Sequence, residues 1–203
     1  GDVYKRQVPA GAGRSPTPWE SLLRSRLARA LAPRAALSWS RPARSWTANQ
    51  GRGPGGMRLP FTPGVVGSRT VPRLALVLDL SGSIDESLLA RFGREVEAIV
   101  RRQGGALTLV LGDDAVRGVH HHDPSRRRLD LASLRVQAGG GTDFAPLLEE
   151  AVRHRPDLIV VLTDLDGPCG ARPSVPVLWA VPQGLVAAAQ DVRAPFGRVL
   201  RLR

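Results

Sequence analysis

Two short apolar runs, each followed by an aspartate, constrain the fold of this chain most. The sequence RLALVLDL covers residues 73–80, and DLIVVLT covers 157–163 with Asp164 directly after it. Apolar runs of this length are typical of strands that are buried on both faces of a parallel sheet. Apolar positions at helical spacing occupy 85–103 and 144–152. The sequence therefore predicts strands that alternate with helices.

Further apolar runs extend this pattern, at 106–112, 115–121, 176–181 and 197–202. The second of them follows the first so closely that an antiparallel edge hairpin is favoured over a crossover connection. We therefore predict an α/β fold in which a doubly wound, mainly parallel sheet with one antiparallel edge strand is covered by helices on both faces. A helix and an extended basic linker are predicted to precede it.

The positive charge of the chain is concentrated in its first third. The formal net charge is +11, yet residues 1–73 hold 13 basic and two acidic residues, whereas residues 74–203 hold 16 of each. Thr17-Pro18-Trp19-Glu20 is a capping box that predicts a helix, and Pro, Gly, Ser and Arg dominate 38–72, as in a linker. A nucleic-acid-binding protein that acts through this basic arm is the second hypothesis. It predicts an affinity that falls steeply with salt and survives a chelator.

The chain divides into three predicted segments. Residues 2–7, Asp-Val-Tyr-Lys-Arg-Gln, resemble the translated end of a sequencing-library adaptor. We predict that residues 1–7 are an artefact, that 8–72 form the basic helix and linker, and that 73–203 form one α/β domain. The single cysteine, Cys169, cannot form an internal disulfide, and no run approaches roughly 18 apolar residues. These features predict a cytoplasmic protein without a membrane segment.

Oxygen-bearing side chains follow the predicted strands at three places. They are Asp79, Ser81 and Ser83 after the first run, Thr142 and Asp143 in the loop G-G-G-T-D, and Asp164 and Asp166 after the run DLIVVLT. Ligands of open parallel sheets bind outside the carboxyl ends of the strands. Hydroxyls and carboxylates without Cys or His suit a hard cation, so we predict Mg²⁺, with Mn²⁺ or Ca²⁺ as alternatives.

The motif D-x-S-x-S, followed by T-D in a glycine-rich loop and T-D after a strand, resembles the metal-ion-dependent adhesion site (MIDAS) of von Willebrand factor type A (VWA) domains. The resemblance spans about residues 73–203 and implies the metal-binding residues Asp79, Ser81, Ser83, Thr142 and Asp164. It implies that the hydroxyls bind directly or through water and that the two carboxylates bind largely through water. The usual T-D-G is here T-D-L-D-G, which leaves open whether Asp164 or Asp166 faces the metal. Asp143 and Asp166 are also candidates for residues that lie behind the direct ligands.

A site whose direct ligands are neutral hydroxyls leaves a cation undercompensated, so the cation keeps its affinity for a further carboxylate. The sequence therefore predicts a metal-dependent protein-binding domain, an adaptor or a regulator, that captures an acidic residue of a partner. The resemblance to bacterial intracellular VWA proteins implies a MoxR-type AAA+ ATPase as that partner.

The flanks carry a closer resemblance. The sequences around Pro18-Trp19, 38–44, Val177-Leu178-Trp179 and Pro195-Phe196-Gly197 are similar to the bacterial "putative metallopeptidase" family with a C-terminal VWA-like domain. The resemblance implies an N-terminally truncated member of that family. Such proteins carry an H-E-x-x-H zinc helix, which is absent from this chain. We therefore predict no catalytic residues here, and the regulatory tail of a zinc metallopeptidase is a further alternative.

Simpler explanations exist for several of these residues. Ser83-Ile84-Asp85-Glu86 is also a capping box, so Ser83 is alternatively a helix cap, and Asp143 is predicted to be an N-cap rather than a ligand. His120-His121-His122 is interpreted as a polar cluster at a strand end in preference to a zinc site. Cys169 is interpreted as an inert thiol. The chain has no Walker phosphate loop and no G-x-S-x-G elbow.

Overall fold

The structure is a computed structural model that describes residues 18–32, 35–67, 71–80, 85–134, 141–183 and 194–202. Within these ranges the chain forms four α-helices and eight strands. In chain order they are α1 (Trp19–Ala30), β1 (Ala35–Pro42), α2 (Arg44–Asn49), β2 (Pro63–Gly67), β3 (Arg73–Asp79), α3 (Glu86–Gln103), β4 (Ala106–Gly112), β5 (Val116–His122), α4 (Phe144–Arg153), β6 (Leu158–Leu162), β7 (Val177–Pro182) and β8 (Arg198–Leu202). None of the helices in the described ranges is both long and apolar enough to cross a bilayer.

Six strands form one sheet in the order β5-β4-β3-β6-β7-β8. Neighbouring strands pair in parallel, except that β5 lies antiparallel to β4 at the edge. The strand β3 is central, and its Leu76 pairs with Leu109 of β4 on one side and with Val160 of β6 on the other. The predicted mainly parallel sheet with one antiparallel edge strand is confirmed.

Successive residues of β3 face two different cores because side chains alternate along a strand. Leu74, Leu76 and Leu78 pack in the core under α1 and α3, whereas Ala75 and Val77 pack in the core under α4. All five side chains are buried. Helices therefore cover both faces of the sheet, which explains why the strands read as continuous apolar runs.

The first helix, α1, packs against the sheet domain although it lies in the basic third of the sequence. Trp19, Leu23 and Leu27 are at most 3% exposed, and the Trp19 ring stacks on Phe92 of α3 with ring centroids 6.1 Å apart. Fully burying one such side chain contributes about 1.5–3 kcal/mol. The helix begins at Trp19 with Pro18 in the N-cap position, one residue later than predicted, and Thr17 lies outside the described residues.

The segment predicted to be an extended linker differs in the structure. The strands β1 and β2 pair antiparallel, with Ala36 opposite Val66, and α2 lies between them in sequence. Trp46 Nε1 donates a hydrogen bond to the Leu59 carbonyl at 3.1 Å, and the Trp46 and Phe61 rings lie 5.4 Å apart. These contacts fold the segment back on itself, and composition alone did not reveal them.

The start of α3 bears on the role of Ser83. Asp85 is the N-cap of this helix, and its Oδ2 accepts a hydrogen bond from the backbone N–H of Leu88 at 3.1 Å. The capping role considered for Ser83 therefore belongs to Asp85. Ser83 itself, like Ser81, lies outside the described residues.

Candidate metal site

A buried carboxylate ends the central strand. Asp79 is the last residue of β3 and is 6% exposed. Thr163, the first residue after β6, is fully buried and donates a hydrogen bond from Oγ1 to Asp79 Oδ2 at 3.0 Å. The two residues meet because β3 and β6 are neighbouring parallel strands whose carboxyl ends share one edge of the sheet. The polar residues predicted after the first run, at Asp79, and after the run DLIVVLT therefore lie next to each other.

The Asp164 carboxylate belongs to the same group of oxygens. Its Oδ1 lies 3.5 Å from Thr163 Oγ1 and accepts a hydrogen bond from the backbone N–H of Asp166 at 3.1 Å. The backbone N–H of Leu165, which has a φ of 66°, donates to Thr163 Oγ1 at 2.9 Å. This tight turn sets Asp164 beside Thr163 and Asp79, whereas the Asp166 residue is exposed.

Two hydrogen bonds of Asp143 fix the loop that carries Thr142 and Asp143, one to the start of α4 and one to the residue after β4. Asp143 is the N-cap of α4, as predicted, since its Oδ1 accepts a hydrogen bond from the backbone N–H of Ala145 at 2.9 Å. Its own backbone N–H donates to the Asp113 carbonyl, directly after β4, at 3.0 Å. Thr142 and Asp143 are both half-buried.

Gly167 lets this loop meet the loop after β6. A Cβ atom at Gly167 would lie 2.6 Å from the Thr142 carbonyl oxygen and 3.1 Å from Thr142 Cβ. The first of these distances is too short for any side chain, so the close approach of the two backbones requires glycine. The glycine of T-D-L-D-G thus brings the third predicted place, at Thr142, next to the turn that carries Asp164.

The donor chemistry of these residues fits a hard divalent cation. The predicted ligand set contains two carboxylates, Asp79 and Asp164, and otherwise hydroxyls, which is the oxygen chemistry that Mg²⁺ takes. Within the described ranges no group of three or more His, Cys, Asp or Glu side chains is placed to hold a metal ion. A site here would therefore depend on the hydroxyls of Thr142, Ser81 and Ser83, of which only Thr142 is described.

Sequence reasoning missed two buried polar residues at this edge, Thr163 and Asp113. Asp113 is fully buried, and its Oδ1 accepts hydrogen bonds from the backbone N–H of Asp114 and from Arg117 Nε, both at 2.8 Å. The hydrogen bond that Arg117 donates to Asp113, together with the negative charge of Asp113, raises the pKa of Arg117. Asp113 thereby shapes the turn into β5 and positions Asp143. The available signal was its place directly after an apolar run, four residues before an arginine.

The cysteine lies beside this edge without reactive chemistry. Cys169 is buried, and its Sγ lies 3.7 Å from the Gly167 carbonyl oxygen. Burial raises the pKa of the Cys169 thiol, and the negative charge of Asp143 raises it further. A thiol that stays protonated at neutral pH is a poor nucleophile and a poor metal ligand.

One histidine of β5, His121, takes part in ordinary polar contacts, whereas His122 Nε2 is buried without a hydrogen-bond partner among the described residues. His121 Nδ1 lies 3.2 Å from Thr108 Oγ1, and its ring meets the His154 ring at a centroid distance of 5.1 Å. His154 Nε2 in turn lies 3.1 Å from Glu150 Oε1. The contacts of His121 agree with a polar cluster at that residue, and the interpretation of the other two histidines stays a prediction.

The six-stranded sheet, with its polar residues at the carboxyl ends of β3 and β6, defines a VWA-like α/β domain. Residues 74–203 match the family model described as "VWA-like domain (DUF2201)". The chain belongs to this family. Residues 8–66 match a second model, described as "Putative metallopeptidase domain".

One curated relative is an uncharacterized protein of Thermotoga maritima, which is 35% identical over 95 residues. The aligned part covers 46% of this chain and 23% of that protein, so the chain spans about a quarter of the relative's length. No solved structure matches the chain.

Proposed function

We propose that this VWA-like domain binds a divalent cation, Mg²⁺ or alternatively Mn²⁺ or Ca²⁺, and through it captures an acidic residue of a partner protein. The observation that carries the proposal is the hydrogen bond from Thr163 to Asp79 beside the Asp164 carboxylate. It unites oxygens that lie more than 80 residues apart in sequence. The approach of Thr142 to Gly167 adds a hydroxyl-bearing residue to the same edge.

The proposed ligands are Asp79, Ser81, Ser83, Thr142 and Asp164. The hydroxyls bind the cation directly or through water, and the two carboxylates hold its coordinated waters. Asp143 stays outside this set because its carboxylate caps α4. Of the two candidates in T-D-L-D-G, Asp164 is preferred, since its carboxylate adjoins Thr163 whereas Asp166 is exposed.

The bound cation supplies positive charge that neutral hydroxyls do not cancel, so a carboxylate of the partner completes its oxygen shell. Residues of this chain hold the two carboxylates of the proposed site in place. The Thr163 hydroxyl positions Asp79, and the turn at Leu165 positions Asp164.

Calorimetric titration with MgCl₂ tests the metal site. Asp79→Asn and Asp164→Asn are each expected to weaken Mg²⁺ binding by about 10–100-fold. Asp166→Asn, which removes the same charge two residues away, is the matched control and is expected to bind like the wild type. Asparagine keeps the side-chain volume, and thermal unfolding verifies the fold of each variant. Indistinguishable isotherms for the wild type, Asp79→Asn and the double variant Asp79→Ala/Ser81→Ala would refute the site.

We propose a MoxR-type AAA+ ATPase as the partner, on the family resemblance. Capture of the purified ATPase on the immobilised chain is expected in Mg²⁺ and lost in EDTA. Asp164→Asn is expected to behave in Mg²⁺ as the wild type does in EDTA. Capture that withstands both EDTA and Asp164→Asn would contradict a metal-dependent contact.

The match of residues 8–66 supports a second proposal, in which the domain regulates a metallopeptidase domain of the same polypeptide. The genomic sequence that precedes this stretch tests it. An upstream H-E-x-x-H helix in the same reading frame is expected, and its absence would leave the adaptor function alone.

A further inference from the structure

A cleft of about 900 Å³ lies where strands β6, β7 and β8 begin, at the opposite ends of the strands from the proposed metal site. The helix α1 forms one wall, and the segments that lead into β7 and β8 form the other. The first residues of three neighbouring strands, Leu158, Val177 and Arg198, also line it. Pockets for small molecules in proteins measure about 300–1,000 Å³, so the cleft has room for a ligand of that class.

Four arginines line this cleft, which we name the arginine cleft. They are Arg26 and Arg29 of α1, Arg172 of the segment before β7, and Arg198 at the start of β8. None of the described residues that line the cleft is acidic. Like charges gathered in a concave space repel one another and produce a strongly positive potential, which favours the entry of an anion.

The third arginine of α1, Arg24, is compensated by a carboxylate, as is Arg91 of the neighbouring helix α3. Arg24 donates hydrogen bonds to both Glu95 oxygens, at 2.6 and 2.7 Å, and Glu20 pairs with Arg91 of α3. Arg26 differs, because its Nη1 atom is buried and has no hydrogen-bond partner among the described residues. Arg26 and Arg29 both line the cleft, and no carboxylate among the described residues pairs with either, so an anion in the cleft compensates their charge.

We propose that the arginine cleft binds a small molecule with a chain of two or three phosphates, of the nucleoside di- or triphosphate class. The guanidinium fork matches phosphate oxygens in a bidentate manner, and several arginines suit several phosphates better than one carboxylate. The hydroxyls of Ser25 and Ser174 add donors for phosphate oxygens. The side chains of Pro173 and Phe196 add apolar surface for the organic part.

The cleft joins the two parts of the chain that match different family models. Arg26 and Arg29 lie within residues 8–66, whereas Arg172 and Arg198 lie within residues 74–203. A ligand that contacts both walls stabilises the docking of α1 on the sheet by mass action. The cleft shares no residue with the proposed metal site, which lies at the opposite ends of the strands.

Titration of the full chain with ATP and with inorganic tripolyphosphate, in EDTA and at physiological ionic strength, tests this inference. Both probes are expected to bind, and Arg26→Gln/Arg29→Gln is expected to weaken binding by at least about tenfold. Arg127→Gln/Arg128→Gln removes the same charge from an exposed loop and is the matched control, with wild-type affinity expected. Arg172→Gln/Arg198→Gln alters the opposite wall of the cleft and is expected to weaken binding to a similar extent. This second variant keeps the test decisive if the α1 variant does not fold.

The two probes also separate the sources of the phosphate chain. Tighter binding of ATP assigns a role to the base and ribose, and equal binding assigns the recognition to the phosphates alone. The inference is overturned if neither probe binds, if the cleft variants keep wild-type affinity, or if the control variant loses as much. Tighter binding of hexaglutamate than of either phosphate probe would replace the phosphate ligand with an acidic peptide.

Discussion

The two edges of the sheet carry opposite chemistry and are built in different ways. At the carboxyl ends of β3 and β6, Asp79, Thr163 and Asp164 are positioned by hydrogen bonds between residues at strand ends and in loops. At the amino ends of β6 to β8, the arginine cleft depends on the docking of α1, which rests on buried apolar side chains. The acidic edge, at Asp79, Thr163 and Asp164, therefore depends on polar geometry, whereas the basic edge, at the arginine cleft, depends on hydrophobic packing.

Leu27→Ala tests the packing of α1 behind the arginine cleft and is the substitution from which we expect the greatest loss of stability. Leu27 of α1 is fully buried, so Leu27→Ala is expected to lower the free energy of unfolding by about 2–5 kcal/mol. Urea denaturation measures the change. The transition is expected to remain cooperative because α1 shares one core with β3, α3 and β8.

Leu37→Ala is the control for that experiment. Leu37 of β1 is 60% exposed, and its truncation is expected to change the free energy of unfolding by less than about 0.5 kcal/mol. A comparably small effect of Leu27→Ala would show that α1 is not part of the core, and the distinction between the two edges would fail.

A substitution at Gly167 tests the close approach of this residue to Thr142, and we expect a smaller effect from it than from Leu27→Ala. A methyl group at Gly167 forces the Thr142 backbone away, so Gly167→Ala is expected to cost about 1–3 kcal/mol of stability and to weaken Mg²⁺ binding. Gly141→Ala is the matched control, because nothing lies within 4 Å of a Cβ atom at that position. Equal effects of the two substitutions on Mg²⁺ binding would contradict a role for the contact between Thr142 and Gly167.

The smallest expected effect concerns the compensated arginine of α1. The hydrogen bond from Arg24 lowers the pKa of Glu95 against the opposing effect of burial, and the positive charges of Arg24 and its neighbours assist. A lowered pKa in the folded state stabilises the protein above the unfolded-state pKa of about 4.3, and this stabilisation is lost as the pH falls through the folded value. Glu95→Gln is therefore expected to cost about 0.2–1 kcal/mol at pH 7 and nothing in strong acid.

Denaturation curves at several pH values, with Glu149→Gln on the exposed surface of α4 as the control, measure this difference. A cost of Glu95→Gln that does not change between pH 7 and strong acid would show that the ion pair with Arg24 does not contribute. The contrast between the compensated Arg24 and the arginine cleft would then lose its basis.

Strands and caps at this sheet were predictable because their signals are local. The run 106–112 coincides with β4, the prediction of an antiparallel β5 is confirmed, and Asp143 caps α4 as its sequence neighbourhood indicates. The pairing of β1 with β2 was not predictable, because contacts such as that of Trp46 with Phe61 join distant residues of a stretch rich in Gly and Pro. Thr163 was missed for the same reason, since its partner Asp79 lies 84 residues away.

The hydrophobic pattern of the chain is sufficient to specify strands that alternate with helices, and therefore a parallel sheet whose carboxyl ends bring Asp79 and Asp164 to one edge. Strand direction alone implies this, because residues that follow parallel strands share an edge. Tertiary packing is required for Thr163 to join the two carboxylates and for α1 to complete a core. It is also required for arginines from α1, the segment before β7 and the start of β8 to line one cleft. The neutral net charge of residues 74–203 does not reveal such a separation, because which charges meet depends on strand order and helix docking.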